Sequence, residues 1–536
     1  MRKRHNFLAA LGALSLSCST AYAKPHAKVA SDPRDAEIQA LLSEVRALAA
    51  KVDTLQARIA APPPAPPAAA PAPEPAAIIQ TISPPASPPS SGYVTIADGK
   101  PMIRSVDGRF TANLHIVMQF DAAAYQQATP RLITSDFRRG AAPTDTSHAR
   151  NLLSGTNFRR ARIGFDGKAF GDWDYSFLLD YGGAGEEDAA HIQELWVQYS
   201  ALKPFHLKIG AFSPSIGLED QGSTSGQLFL ERSASADIAR NLAGGDFRDA
   251  SELWANGSWW YVNAAVTGRL VGVINSQGSG AAQPYGSQLG VIGRVGFLPV
   301  KTANGMIEVG VHGSYVARPA DFGGPDTAAG TTRYSFTMQE RPELRVDGTR
   351  LISTGVISAQ HASTAGLEAA AQYGGFFIQS EYEQFRIERR NGPASLSNPN
   401  FDGYYLEGSY TLAGEKRRFN ANNWAFDAPG VSHPFSLADH TWGAWEIAGR
   451  YSDIDLNYHA GALGSTPVAD AVRGGEQKVW SAGLNWYPNT VVRFLLDFQD
   501  VRIERLSPSA SSFATPNGAE VGQHYHAISV RSQFAF

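Results

Sequence analysis

The chain ends in a two-faced run. Ile528, Val530, Phe534 and Phe536 fall on one side; Ser529, Arg531, Gln533 and Ala535 fall on the other. A period of two puts successive side chains on opposite faces of a strand, here one apolar and one wet. One such strand fits a soluble sandwich as well as a membrane wall. Sixteen can be read between about residues 109 and 536, the first at 109–120, the tenth at 364–373, the thirteenth at 441–455 and the last at 523–536. Two-faced strands, even in number and ending on an aromatic, are the pattern of a bacterial outer-membrane barrel. The expected fold class is all-β: a 16-stranded antiparallel transmembrane β-barrel over 93–536, with an N-terminal periplasmic coiled-coil helix.

No stretch past residue 23 approaches the roughly 18–20 apolar residues of a membrane helix. Alternating strands average to neutral hydropathy, so this absence leaves a barrel open. Residues 1–23 read as an export signal: Arg2, Lys3 and Arg4, an apolar middle from Phe7 to Leu16, and the small-residue site Ala21-Tyr22-Ala23. The lone cysteine, Cys18, lies inside it, and Ser15-Leu16-Ser17 fits a lipoprotein signal poorly. The mature chain therefore offers no disulfide or thiolate. A net charge of −4, more acidic once the signal's three cations leave, gives no reason to expect nucleic acid.

Ile38, Leu41, Val45, Leu48, Val52, Leu55 and Ile59 form a heptad seam within 24–61, with β-branched residues at a and Leu at d. That choice favours a dimer, whereas Leu42 and Ala49 widen the stripe toward a larger bundle. So short a helix is marginal alone and calls for partner chains. The Pro/Ala-rich linker at 62–92 suits polyproline II, a spacer of at most roughly 80 Å at about 3.1 Å per residue.

Within the barrel, short links such as Phe170-Gly171-Asp172 and Gly374-Gly375 alternate with long polar ones at 121–156, 213–248 and 318–363. Short periplasmic turns opposite long external loops are expected of a bacterial barrel. One link disagrees, because 413–440 falls in a short-turn slot but is long. Facing Arg or Lys toward mid-membrane lipid costs about 2–4 kcal/mol, which orients each strand. Phe494, Leu496 and Phe498 then face out while Arg493, Asp497 and Gln499 face in. The same parity turns Arg160, Arg162, Lys168, Lys208, Arg294 and Arg531 inward. Polar inner walls imply a wet lumen and a pore. Link 213–248 carries Arg232, Arg240 and Arg248 at eight-residue intervals, with Glu231, Asp237 and Asp249 nearby. Folded into the lumen, it narrows the pore and its cations favour anions; lying outside, they are solvated loop charges. These ten cations are the pore-lining candidates, although inward charges also brace a wall by pairing across strands. Trp254, Trp259, Trp260, Tyr261, Trp442, Trp445, Trp480 and Trp486 cluster near strand ends, as interfacial girdles do. An aromatic slide for sugars is the alternative.

Several stretches in shared order give the chain a family likeness. They are Phe158-Arg159-Arg160-Ala161-Arg162, Phe229-Leu230-Glu231-Arg232-Ser233, and Gly403-Tyr404-Tyr405-Leu406-Glu407-Gly408 leading to Gly414-Glu415-Lys416-Arg417. Gly443-Ala444-Trp445-Glu446 and Gly483-Leu484-Asn485-Trp486-Tyr487 follow. Over residues 109–536 the chain resembles the phosphate-selective porin O and P family of Gram-negative outer membranes. The resemblance implies a homotrimer of sixteen-stranded barrels, passive diffusion, and an anion pathway of inward Arg and Lys. It also implies that Phe536 is read by the barrel-assembly machinery.

The leading expectation is an outer-membrane porin, a water-filled channel for passive diffusion of small solutes that favours phosphate or other anions. A general or sugar-permeable porin is one alternative. A barrel anchoring the membrane to the cell wall through peptidoglycan is another. An enzyme is disfavoured: His115, His312 and His361 are scattered and no G-x-S-x-G elbow occurs. No catalytic, cofactor or metal residues are assigned.

Overall fold

The structure, a computed structural model, describes residues 92–97, 100–127, 152–183, 191–245, 248–271, 288–323, 333–390, 396–507 and 517–536. The expected export signal (1–23), coiled-coil helix (24–61) and nearly all of the linker (62–92) lie outside them.

Sixteen antiparallel strands close on themselves. They are β1 (Thr111–Gln127), β2 (Gly155–Ala169), β3 (Trp173–Asp180), β4 (His191–Tyr199), β5 (Phe205–Phe212), β6 (Arg248–Asn256), β7 (Trp260–Leu270) and β8 (Leu289–Lys301). The others are β9 (Gly305–Arg318), β10 (Ile357–Tyr373), β11 (Phe376–Arg389), β12 (Asn400–Ala413), β13 (Ala444–Tyr458), β14 (Val472–Tyr487), β15 (Val492–Glu504) and β16 (Gln523–Ala535). Neighbours in sequence pair throughout, and β16 pairs with β1 from Tyr525↔Gln127 to Ala535↔Val117. Below Val117 the free edge of β1 passes to a leading hairpin, Tyr93–Ala97 and Lys100–Arg104, through Met102↔Asn113. Phe536 joins the two regions by exchanging backbone hydrogen bonds of 2.9 Å with Ile116.

The sequence-derived strands recur with shifted ends. β10 starts at Ile357 rather than 364, and β13 runs to Tyr458 rather than 455. These extensions reach beyond the lipid band, where alternation has no membrane to enforce it.

Parity holds on the outside: Phe494, Leu496 and Phe498 are 40–46% exposed. Inside, Arg493, Asp497 and Gln499 are each only 2% exposed, because chain fills much of the lumen. The uniformly wet inner wall expected from the sequence is therefore corrected. Three connections fold inward. The link 213–247 carries the helix Ala234–Ala243, capped by Ser233, whose Oγ accepts from Ala236 N at 3.4 Å. Ile238 and Leu242, one turn apart on one helix face, pack against Ile292, Val316, Ala359, Phe385 and Ile387 of β8–β11. The segment 333–356 lies beside it, with Leu344 and Leu351 in the same core. From the short-turn end comes the odd link 414–443, whose hairpin (Arg417–Asn420 with Ala425–Pro429) explains its length. Trp424 at its tip is fully buried and donates to Glu308 Oε1 at 3.2 Å.

Candidate permeation path

The inward segments leave open space along β1–β6. Three cavities follow one another there. The first, of about 420 Å³ near the long-loop end, is lined by nine arginines against two carboxylates, Asp180 and Glu340. The second, of about 350 Å³, shares Arg162, Gln193, Arg232 and Arg240 with it. The third, of about 900 Å³ toward the short turns, shares Glu194, Trp196, Lys208 and Asn423 with the second. A side cavity of about 310 Å³ lies by Arg493 and Phe536 and meets the path at His115 and Ser223.

Lys208 sits at the junction of the second and third cavities. Its Nζ lies 4.3 Å from the ring centres of both Trp196 and Phe212. Among the described residues it has neither an ion pair nor a hydrogen bond, whereas the neighbouring cations are engaged. Arg162 pairs with Asp180 at 2.8 Å and Gln193 at 2.9 Å. Arg240 meets Asp220 at 2.5 Å. Arg232 donates to the carbonyls of Glu219 and Asp220 at 3.3 Å. Arg248 donates to the carbonyls of Gly244 and Gly268 at 2.5 and 2.9 Å. Arg160 donates to Gln119 at 2.6 Å, but its buried Nε finds no acceptor. Lys168 pairs with Asp174 at 2.5 Å in the third cavity.

Arg294, Arg493 and Arg531 differ from expectation. All three face inward, as parity requires, yet inward segments occupy their donors: link 213–247 for Arg493 and Arg531, and Ser215 of that link together with the 414–443 hairpin for Arg294. Arg294 pairs with Glu368 at 2.9 Å and donates to the carbonyls of Asn423 and Trp424. Arg493 donates to the carbonyls of Ser225 and Gln227, bordering only the side cavity. Arg531 holds Asp121 and Glu231. These three brace the inward segments rather than line the path.

Link 213–247 and the 414–443 hairpin together cover the acidic wall. Glu308, Glu368, Glu381, Glu383, Glu407 and Glu446 project inward from β9–β13 and are all buried. Glu381 accepts the backbone N–H groups of Leu218 and Glu219 at 2.7 and 3.1 Å. His312 is held between Glu368 at 3.0 Å and Glu383 at 2.6 Å. Arg417 pairs with Glu446 at 2.9 Å, and Arg450 approaches Glu407 at 3.6 Å. Six carboxylates are thus enclosed along β9–β13, while the open space along the other wall is lined by cations together with Asp180, Glu340, Asp220, Glu194, Asp166, Asp174 and Glu252.

Some path residues escaped the alternation argument. Arg159 turns inward beside Arg160 because the β1–β2 register slips between Gln119 and Phe120, and it pairs with Glu231 at 2.7 Å. Arg341, Arg345 and Arg350 arrive from segment 333–356, which no periodicity marked. Of the clustered aromatics, Trp254 and Tyr261 turn into the third cavity. Trp254 stacks one face on His206 at 4.0 Å and is only 8% exposed, so it offers little open ring to a sugar. Trp259, Trp442 and Trp480 are exposed on the outside.

Residues 128–536 match the family described as Phosphate-selective porin O and P. Porin O of Pseudomonas aeruginosa is 25% identical over 377 residues, covering 67% of this chain and 79% of that protein. An uncharacterized protein of Caulobacter vibrioides is 26% identical over 360 residues, or 65% of this chain and 64% of that one. Among solved structures, a loop-deleted form of the Vibrio cholerae outer membrane protein OmpT gives a TM-score of 0.43 at 9% identity, covering 80% of this chain and all (100%) of that one. The anion-selective porin from Comamonas acidovorans gives 0.40 at 10% identity, with 80% and 100% covered.

Proposed function

Because the chain belongs to the phosphate-selective porin O and P family, and is thus an outer-membrane porin channel, we propose that it selects anions at Lys208. The unpaired ammonium at the junction of two cavities carries this reading. Two unit charges 4 Å apart attract by about 1 kcal/mol in bulk water and about 4 kcal/mol at an effective dielectric near 20. The Trp196 and Phe212 rings exclude water from two sides of Nζ and move Lys208 toward the stronger limit.

An anion enters through the arginine-rich mouth, passes Arg162, Arg232 and Arg240, and meets Lys208 before the wide vestibule. Most arginines on this route already hold carboxylates or carbonyls, so each attracts without trapping. Conduction requires such a series of weak sites. The family's phosphate preference is the natural selectivity for this chain. The channel works as a homotrimer clasped by the heptad helix on the periplasmic side, and Phe536 guides its assembly.

Reversal potentials in a KCl gradient across a planar bilayer test the proposal. Lys208→Ala should move the potential toward cation selectivity, and phosphate should block the chloride current of the unaltered channel more than that of the variant. An unmoved reversal potential rejects Lys208 as the selecting residue.

A further inference from the structure

At the long-loop rim, the outward faces of β15 and β16 bring together Asp500, His524 and His526. Asp500 and His526 are register partners, and His524 lies two residues along on the same face. The rigid ladder fixes all three above the apolar band of Phe498, Ile528 and Val530. Asp500 Oδ2 lies 3.2 Å from His524 Nε2 and 3.0 Å from His526 Nδ1. The three ligand atoms lie within 4.8 Å of one another. Bonds of about 2.0–2.2 Å in a tetrahedral zinc site put neighbouring ligand atoms roughly 3.3 Å apart. The two separations to Asp500 are close to that edge.

Three further observations separate this cluster from an ordinary surface ion pair. His526 Nδ1 is closed to solvent and makes no hydrogen bond of acceptable geometry, although it lies 3.0 Å from the carboxylate. The Phe498 ring, stacked 5.7 Å away, fixes the plane of that imidazole. Arg502 Nε, 3.3 Å from Asp500 Oδ1, holds the other carboxylate oxygen and leaves Oδ2 for a ligand role. Such outer partners orient metal ligands.

The surrounding charge favours a cation as well. Asp402, Asp455, Glu476 and Glu504 stand directly opposite one another on four successive strands, on the same outward face. Like charges in register destabilise a sheet. Lys478, 2.7 Å from Glu476, and its register partner Arg502 offset part of this row, leaving four carboxylates against two cations.

We propose that Asp500, His524 and His526 bind a divalent transition-metal ion of the zinc class, through one carboxylate oxygen and two neutral imidazoles. Water fills the remaining position. The ion clamps β15 to β16 beside the seam with β1 and leaves the lumen untouched.

The test uses the full chain purified in detergent without a polyhistidine tag, stripped with EDTA and dialysed against zinc chloride. One zinc per chain is expected, with affinity reduced at least tenfold in His524→Ala and in His526→Ala. Copper(II) as a spectroscopic probe should give a resonance split by two imidazole nitrogens, and by one in His524→Gln. Heat-modifiable gel mobility establishes that each variant is folded, and Lys478→Ala should bind zinc at least as well as the unaltered chain. A chain that takes up no zinc overturns the site. So does a folded His524→Ala/His526→Ala double variant that binds as before.

Discussion

Arg531 and Asp121 are register partners across the seam where the last strand of the barrel meets the first. The guanidinium grips the carboxylate with two hydrogen bonds of 2.6 and 2.7 Å. The same side chain donates to Leu230 O at 2.5 Å and Glu231 at 2.9 Å, so one residue ties the closure of the wall to the position of the loop inside it. Removing one partner of a buried pair typically costs about 3–5 kcal/mol, because the other charge is left uncompensated. Arg531→Ala should therefore lower the unfolding midpoint measured by heat-modifiable gel mobility. An Arg531→Leu/Asp121→Leu double variant should recover part of the loss. Equal midpoints for the single variant and the unaltered chain would refute this role.

Arg450 holds two of the three inward segments at once. It donates to Glu219 at 3.0 Å and Glu343 at 2.6 Å. Arg450→Ala is expected to destabilise this contact by about 3–5 kcal/mol and to loosen both segments. Glu219, Glu343 and Glu407 would then meet the lumen. Single-channel recording should give a larger, noisier conductance and a reversal potential shifted toward cations.

The mouth arginines act at a distance, and salt should reveal it. The Debye length is about 10 Å at 0.1 M and about 3 Å at 1 M ionic strength. Arg160→Gln and Arg162→Gln should each reduce anion selectivity more at low salt than at high salt. Reversal potentials taken at both concentrations check this, and a salt-independent effect would mean that the residues act by contact alone.

Trp424 anchors the hairpin that enters from the short-turn end. It stacks on Tyr261 at 5.8 Å and meets Phe419 edge-on at 5.2 Å. A buried Trp→Ala change typically costs about 3–5 kcal/mol. Trp424→Ala should release the hairpin, widen the vestibule lined by Asn422 and Asn423, and raise conductance with little change in selectivity at Lys208.

The wall was legible because lipid imposes a rule on every strand. Phe494, Leu496 and Phe498 could face only outward, and that fixed Arg493 and Asp497 as inward. The contents of the lumen follow no such periodic rule. Whether an inward arginine meets solvent or another segment depends on loop docking, which is set by contacts remote in sequence. Arg294 meets Trp424 across 130 residues, a relationship that no local pattern encodes. The odd length of link 414–443 was the only sign of the entering hairpin. Arg159 was hidden for a different reason: one slipped register reverses a face, and alternation read without pairing cannot detect it.

The seam between β16 and β1 bears on how the wall can be built. Gln119 and Gln533 meet across 414 positions of sequence. Until that meeting occurs, the growing sheet has two unsatisfied borders, each a template for pairing with a stray chain. Whatever the order in which the strands form, those borders persist until β16 and β1 meet, so chaperoning must last until then rather than ending once most of the wall has formed.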